Sequence, residues 1–228
     1  MRRGNKWYII LSVLFSSLLM SYVDGVIAPT YFVKSCIKIC LFLIVPLGYF
    51  LVDRSERNKA LMRSIFVWKR KDLVNALLLG MGVYVVIMVA YMIFRNFIDL
   101  SLIQDSLASG MRVTAENFVY VAVYISFVNS LLEEFFFRGY AYMILKSETN
   151  SKFACVFSAI LFAMYHVGMT SGWFSWYIYV LAMLGLFVGG CIFNVLNDHC
   201  GTIYPSWLVH MFANFAINTV GFILFGFI

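Results

Sequence analysis

The 228 residues are 63% hydrophobic and only 12% charged, with a mean hydropathy of +0.88 and a formal net charge of +6. A soluble domain carries about 25% charged residues. The composition therefore excludes a soluble globular protein and points to a polytopic membrane protein whose apolar surface faces lipid. The basic residues lie beside apolar runs, which speaks against a nucleic-acid partner and for membrane lipids.

A membrane span needs about 20 mostly apolar residues, and seven such stretches follow in chain order. The first, about 7–23, is preceded by Arg2, Arg3 and Lys6. It resembles a signal peptide but ends at Tyr22-Val23-Asp24-Gly25 without a small-x-small cleavage site, so a retained helix is expected. The second covers about 33–52. The connection 53–72 carries Arg54, Arg57, Lys59, Arg63, Lys69, Arg70 and Lys71, mixed with Leu61, Ile65, Phe66 and Trp68. It reads as a topology-setting loop, or as an interfacial helix on anionic lipid. The third span covers about 73–94; the fourth, 117–138, continues as a helix to about Lys146. The fifth, sixth and seventh cover about 153–170, 174–196 and 203–228, with Trp173 and Trp176 opening the sixth as an interfacial belt. Gly185, Gly189 and Gly190 in the sixth suggest close helix packing.

The expected fold is all-α, a transmembrane bundle of about seven spans, or eight helices if 53–72 folds. Residues 1–228 read as one integral-membrane domain. Within it, 117–220 bears the chemistry, and 1–116 supplies N-terminal spans with the basic loop. The basic N-terminus, the 53–72 connection, Lys146 and Lys152 fall on one side, which should be cytoplasmic. Asp24, Arg95, Asp99, Asp105, Arg112 and Glu116 fall on the other, and the C-terminus emerges outside. Cys36, Cys40, Cys155, Cys191 and Cys200 have no metal-finger or C-x-x-C spacing and read as small buried residues.

Ionisable groups inside apolar spans are costly and usually have a task or a partner. Glu133, Glu134 and Arg138 interrupt the fourth span, and His166 and His210 interrupt the fifth and seventh. Successive helical residues project about 100° apart, so Glu133 and Glu134 should not face one point. Glu134 and Arg138, four apart in the favourable order, suggest a structural pair. Glu133 is left free to face a cavity. His166 shares a face with Phe162, and His210 with Asn214; each also reads as a core residue or an interhelical clamp. Glu133 lies 13 residues before Lys146 and His166 lies 13 after Phe153, so both sit ~20 Å from the same membrane face. His199 reads as a solvated turn residue.

Three ordered motifs carry a resemblance. They are Glu133-Glu134-Phe135-Phe136-Phe137-Arg138, Phe162-Ala163-Met164-Tyr165-His166 and His210-Met211-Phe212-Ala213-Asn214. Their E-E-x-x-x-R, F-x-x-x-H and H-x-x-x-N patterns resemble the CAAX protease and bacteriocin-processing (CPBP, or ABI) family, which includes the type II CAAX prenyl endopeptidases. The resemblance covers about 117–220 and implies an intramembrane endopeptidase acting on a membrane-associated peptide or protein. Small size is similar to the bacterial members and implies a bacterial plasma membrane. A non-proteolytic immunity or scaffold protein is the alternative.

Peptide hydrolysis needs an activated water and a stabilised oxyanion. On this reading Glu133 is the base, His166 orients the water, and His210 and Asn214 donate to the oxyanion. Arg138 holds Glu134, while Phe162 and Trp207 line the cleft. Zinc held by Glu133, His166 and His210 competes, since catalytic zinc takes three protein ligands. Metal-free hydrolysis is preferred, because with Glu133 as base two histidines and an amide make a poor zinc site.

Overall fold

The computed structural model describes residues 6–170 and 172–228; Arg2 and Arg3 of the orientation argument lie outside the described residues. The described residues form nine helices and no strand. Seven are long and apolar enough to cross a membrane: α1 (Lys6–Ile27), α2 (Tyr31–Val52), α4 (Arg70–Phe97), α6 (Ala115–Glu148), α7 (Ser151–Thr170), α8 (Trp176–Cys200) and α9 (Tyr204–Leu224). Two are short, α3 (Glu56–Ile65) and α5 (Leu100–Ser109). The protein is an integral membrane protein, and its spans fall where the hydropathy put them.

The connection 53–72 is neither a plain loop nor a helix lying free on lipid. Ser55 starts α3 by accepting a bond from the Asn58 N–H, one of the orphan donors of a helix start. Ile65 at its end is fully buried, and its carbonyl accepts bonds from Thr202 Oγ1 (2.8 Å) and Ile203 N (3.1 Å). Arg57 pairs with Glu148 at 2.9 Å, and Lys146 pairs with Asp198. One end of the bundle is thus tied together by α3, the end of α6 and the α8–α9 turn. His199 belongs to the last turn of α8 rather than to a loop, and it is exposed. At the other end Tyr31 N–H donates to Met111 O (3.0 Å), and Trp173 Nε1–H donates to Ser106 Oγ (3.1 Å).

Helix approach is set by a few glycines. A Cβ on Gly168 would lie 2.0 Å from the Ser21 carbonyl oxygen, so α1 and α7 cross in backbone contact there. Of the three α8 glycines expected to pack closely, only Gly190 does so, against Ala159; Gly185 and Gly189 have nothing within 4 Å. They lie on an outward face, where lipid makes no steric demand.

The core sits where α2, α6 and α7 meet. Phe42 stacks on Phe136 with centroids 4.1 Å apart and meets Phe137 and Tyr165 edge-on at 5.4 Å. Within α6, Ile125–Asn129 and Glu134–Ile144 are wound as π-helix. Such i→i+5 winding narrows the angular step between successive side chains and is frequent at functional sites.

Candidate intramembrane active site

Glu133 is 2% exposed and heavily engaged. Its Oε1 accepts from Asn129 Nδ2 (2.8 Å), Tyr165 OH (2.9 Å) and Lys38 Nζ (3.2 Å). Among the described residues its Oε2 accepts no hydrogen bond. Lys38 also donates to Asn129 Oδ1 (2.6 Å) and to the Tyr165 hydroxyl. This corrects the expectation of a free acid facing a cavity: Glu133 is ion-paired with a lysine from α2. The same rule that singled out the glutamates applies to Lys38, a charge inside an apolar span. Asn129, one turn before Glu133, was legible by spacing. Tyr165 was not, because nothing local marks it.

Glu134 has different partners. Its Oε1 accepts from His210 Nδ1–H at 2.9 Å, and its Oε2 accepts from the Ser206 hydroxyl. Ser206 in turn accepts from Asn197 Nδ2 at 2.6 Å. Arg138 Nε stands 3.5 Å from Glu134 Oε2, with no hydrogen bond on any of its three nitrogens. Its guanidinium lies 4.1 Å from the Phe162 ring centroid and 5.1 Å from that of Phe193, a cation–π arrangement.

The two glutamates do converge on one residue, contrary to expectation. The His210 ring lies across α6 with a nitrogen for each carboxylate: Nδ1 at 2.9 Å from Glu134 Oε1, Nε2 at 3.7 Å from Glu133 Oε2. An imidazole has nitrogens on two edges, so one ring spans the angle between successive side chains. A carboxylate accepts, so His210 Nδ1 carries a proton, and in the Nδ1–H tautomer Nε2 is an acceptor.

The buried charges balance. Lys34, Lys38 and Arg138 face Asp24, Glu133 and Glu134, and these are the buried Lys, Arg, Asp and Glu residues among the described residues. Lys34 and Asp24 pair at 3.1 Å. Three basic side chains thus meet three acidic ones, and pairing is how charges persist at such depth.

The remaining candidates take other places. His166 Nδ1–H donates to Phe162 O at 2.8 Å, which leaves its Nε2 bare as well. Phe162 is 3% exposed and lies between Arg138 and both imidazoles, with His166 at 4.8 Å and His210 at 6.0 Å between centroids. It is a buried spacer rather than a cleft wall. Trp207 Nε1–H donates to Ser130 Oγ (3.0 Å) and Phe127 O (3.2 Å), tying α9 to α6. Asn214 Nδ2 donates to Ile125 O at 3.1 Å and makes no hydrogen bond to either glutamate.

A zinc ion does not fit these donors. Among the described residues no three His, Cys, Asp or Glu side chains are grouped to hold a metal. The Lys38 ammonium already occupies the cation position at Glu133 Oε1.

Residues 115–216 match the family model described as type II CAAX prenyl endopeptidase Rce1-like. Over that segment, a little under half of its length, the chain is similar to that family. No curated protein and no solved structure matches it. The match supports a peptidase of the CAAX type in general. All three ordered motifs fall within the matched segment, whereas Lys38 falls outside it.

Proposed function

We propose that the protein hydrolyses a peptide bond of a membrane-borne substrate with a water held between Glu133 Oε2 and His210 Nε2. The 3.7 Å separation of these two acceptors, neither of which has another protein hydrogen bond, carries the reading. Both hydrogens of one water are then accepted, and its lone pair is left for the carbonyl carbon. Glu133 takes the proton as general base. Glu134 fixes the His210 tautomer, and Ser206 and Arg138 fix Glu134. As the C–N bond breaks, Glu133 passes that proton to the leaving amine, and His210 Nε2 takes the second proton of the attacking water, so that a carboxylate and a free amine leave the site. His166 presents its bare Nε2 as a further acceptor. Asn214 acts on the oxyanion only if its amide leaves Ile125 O.

The substrate class is a peptide or protein with a hydrocarbon anchor, prenylated or bacteriocin-like. An apolar cleft of about 230 Å³ on the α6–α9 seam, lined by Val123, Phe127, Phe215 and Phe222 among others, has the chemistry to accept a hydrocarbon chain. The seven cations of 53–72 favour a cytoplasmic N-terminus and an external C-terminus.

The experiment is cleavage of a farnesylated C-terminal peptide, and of its unprenylated form, by the protein in liposomes, with products read by mass spectrometry. The wild type releases one defined fragment. Glu133→Gln lowers turnover at least ~100-fold; undiminished turnover removes Glu133 as the base. A non-proteolytic immunity or scaffold role has one observation in its favour, the closed hydrogen bonding around Glu133 Oε1. It expects Glu133→Gln to keep biological activity.

A further inference from the structure

Lys38 lies outside the segment that matches the family, yet it reaches the reacting carboxylate. It is 4% exposed in the second span, and its ammonium touches Glu133 Oε1, Asn129 Oδ1 and the Tyr165 hydroxyl. Those three groups also bind one another: Asn129 Nδ2 and Tyr165 OH both donate to the same Oε1. A lysine side chain in lipid would extend toward the interface if it could. This one turns inward instead, and its methylenes and charge are enclosed by α6 and α7. Lys34, one turn earlier, has its own partner in Asp24, so the Lys38 charge is available to Glu133.

We propose that Lys38 is a positioning residue for the hydrolysis, clamping Glu133 Oε1 so that Oε2 alone faces the water and His210. This rests on the reading of Glu133 as the base. Three donors on one oxygen fix the carboxylate plane, and rotation about the terminal bond of Glu133 would break all three at once. The other charged or titratable groups around Glu133 are Glu134, Arg138, His166 and His210, of which His210 stands at Oε2. Helix α2, which lies outside the segment that carries the motifs, is accordingly part of the catalytic unit.

The test uses the full chain in liposomes with the farnesylated peptide, comparing Lys38→Met, Lys38→Arg, Lys34→Met and Glu133→Gln, with kcat and KM measured separately per folded enzyme. Misplacing a reacting group by about 1 Å costs roughly 100-fold. Lys38→Met is expected to lower kcat by about that factor with KM within about threefold. Lys38→Arg, which keeps a cation with several donors, restores at least about a tenth of the lost kcat. Lys34→Met breaks the neighbouring pair and leaves kcat within about threefold. Thermal unfolding adds a readout independent of turnover: Lys38→Met lowers Tm, and Lys38→Met with Glu133→Gln regains it while remaining inactive, because the unpaired buried carboxylate is gone. Wild-type kcat in Lys38→Met, or equal kcat losses in Lys34→Met and Lys38→Met, overturns the role of Lys38 while leaving Glu133 as base. Full activity of Glu133→Gln instead overturns the reading on which it rests.

Discussion

Helices α4 and α6 cross the same bilayer in opposite ways. The most apolar window of α4 is 6% buried and that of α6 is 50% buried. Helix α4 turns Val74, Leu78, Val85, Val86, Met92 and Ile93 outward and touches the bundle through α9, with Gly80 against Phe212 and Tyr84 bonded to Thr219 at 3.1 Å. Helix α6 buries every residue from Leu132 to Tyr142, two acids and an arginine included. In lipid an exposed apolar side chain costs nothing, so α4 is specified by hydropathy alone. An embedded charge persists only with partners, so α6 is specified by side chains that other helices bring to it.

The contrast yields a graded set of expected outcomes. The largest concerns the paired charges. Arg138→Met leaves Glu134 buried without its cation and should destabilise the protein by about 3–5 kcal/mol in thermal unfolding. Arg138→Lys should not restore this, because an ammonium cannot replace the planar guanidinium that stands 4.1 Å from the Phe162 ring centroid and 5.1 Å from that of Phe193. Full stability of Arg138→Met would mean that α6 tolerates an unpaired charge, as α4 is not expected to.

Glycine substitutions sharpen the same comparison by packing alone. Gly168→Ala forces a methyl against the Ser21 backbone and should cost about 1–3 kcal/mol or more. Gly82→Ala on the open face of α4 meets nothing within 4 Å and should stay within about 0.5 kcal/mol of wild type. Equal effects in the two would contradict the α1–α7 contact.

The smallest effect lies outside the spans, at Asp99, which starts α5. The Ser101 hydroxyl, then the Leu102 and Ser101 N–H groups, hold its carboxyl below the usual aspartate range. A lowered folded value means that the cap contributes above about pH 4 and is lost as pH falls below that. Asp99→Asn should keep protection of the Ser101 and Leu102 amides in hydrogen exchange while removing its loss in acid. Asp99→Ala should lose protection at every pH.

The spans and the ordered motifs were legible because each is written in consecutive or regularly spaced residues. The long α6 was legible from an unbroken helical run to Lys146, two residues short of its observed end at Glu148. The network around the acids was less so. Lys38 lies 95 residues from Glu133, and Ser206 lies 72 from Glu134, so no local pattern links them. Lys38 nonetheless broke an apolar run as plainly as the glutamates did. The separation assigned to Glu133 and Glu134 assumed one point of contact per residue, and a ring with two nitrogens removes that assumption. Asn214 and Trp207 carry polar groups that satisfy α6 carbonyls, a demand that sequence spacing cannot distinguish from reactivity.

The account stands on Glu133 and His210 acting on one water. Its most direct test is a double-mutant cycle on kcat with Glu133→Gln, His210→Gln and both together, using the farnesylated peptide in liposomes. Residues that act as a unit give losses that do not multiply, so the double variant is expected to be about as slow as the slower single one. Losses that multiply in full would contradict a shared water.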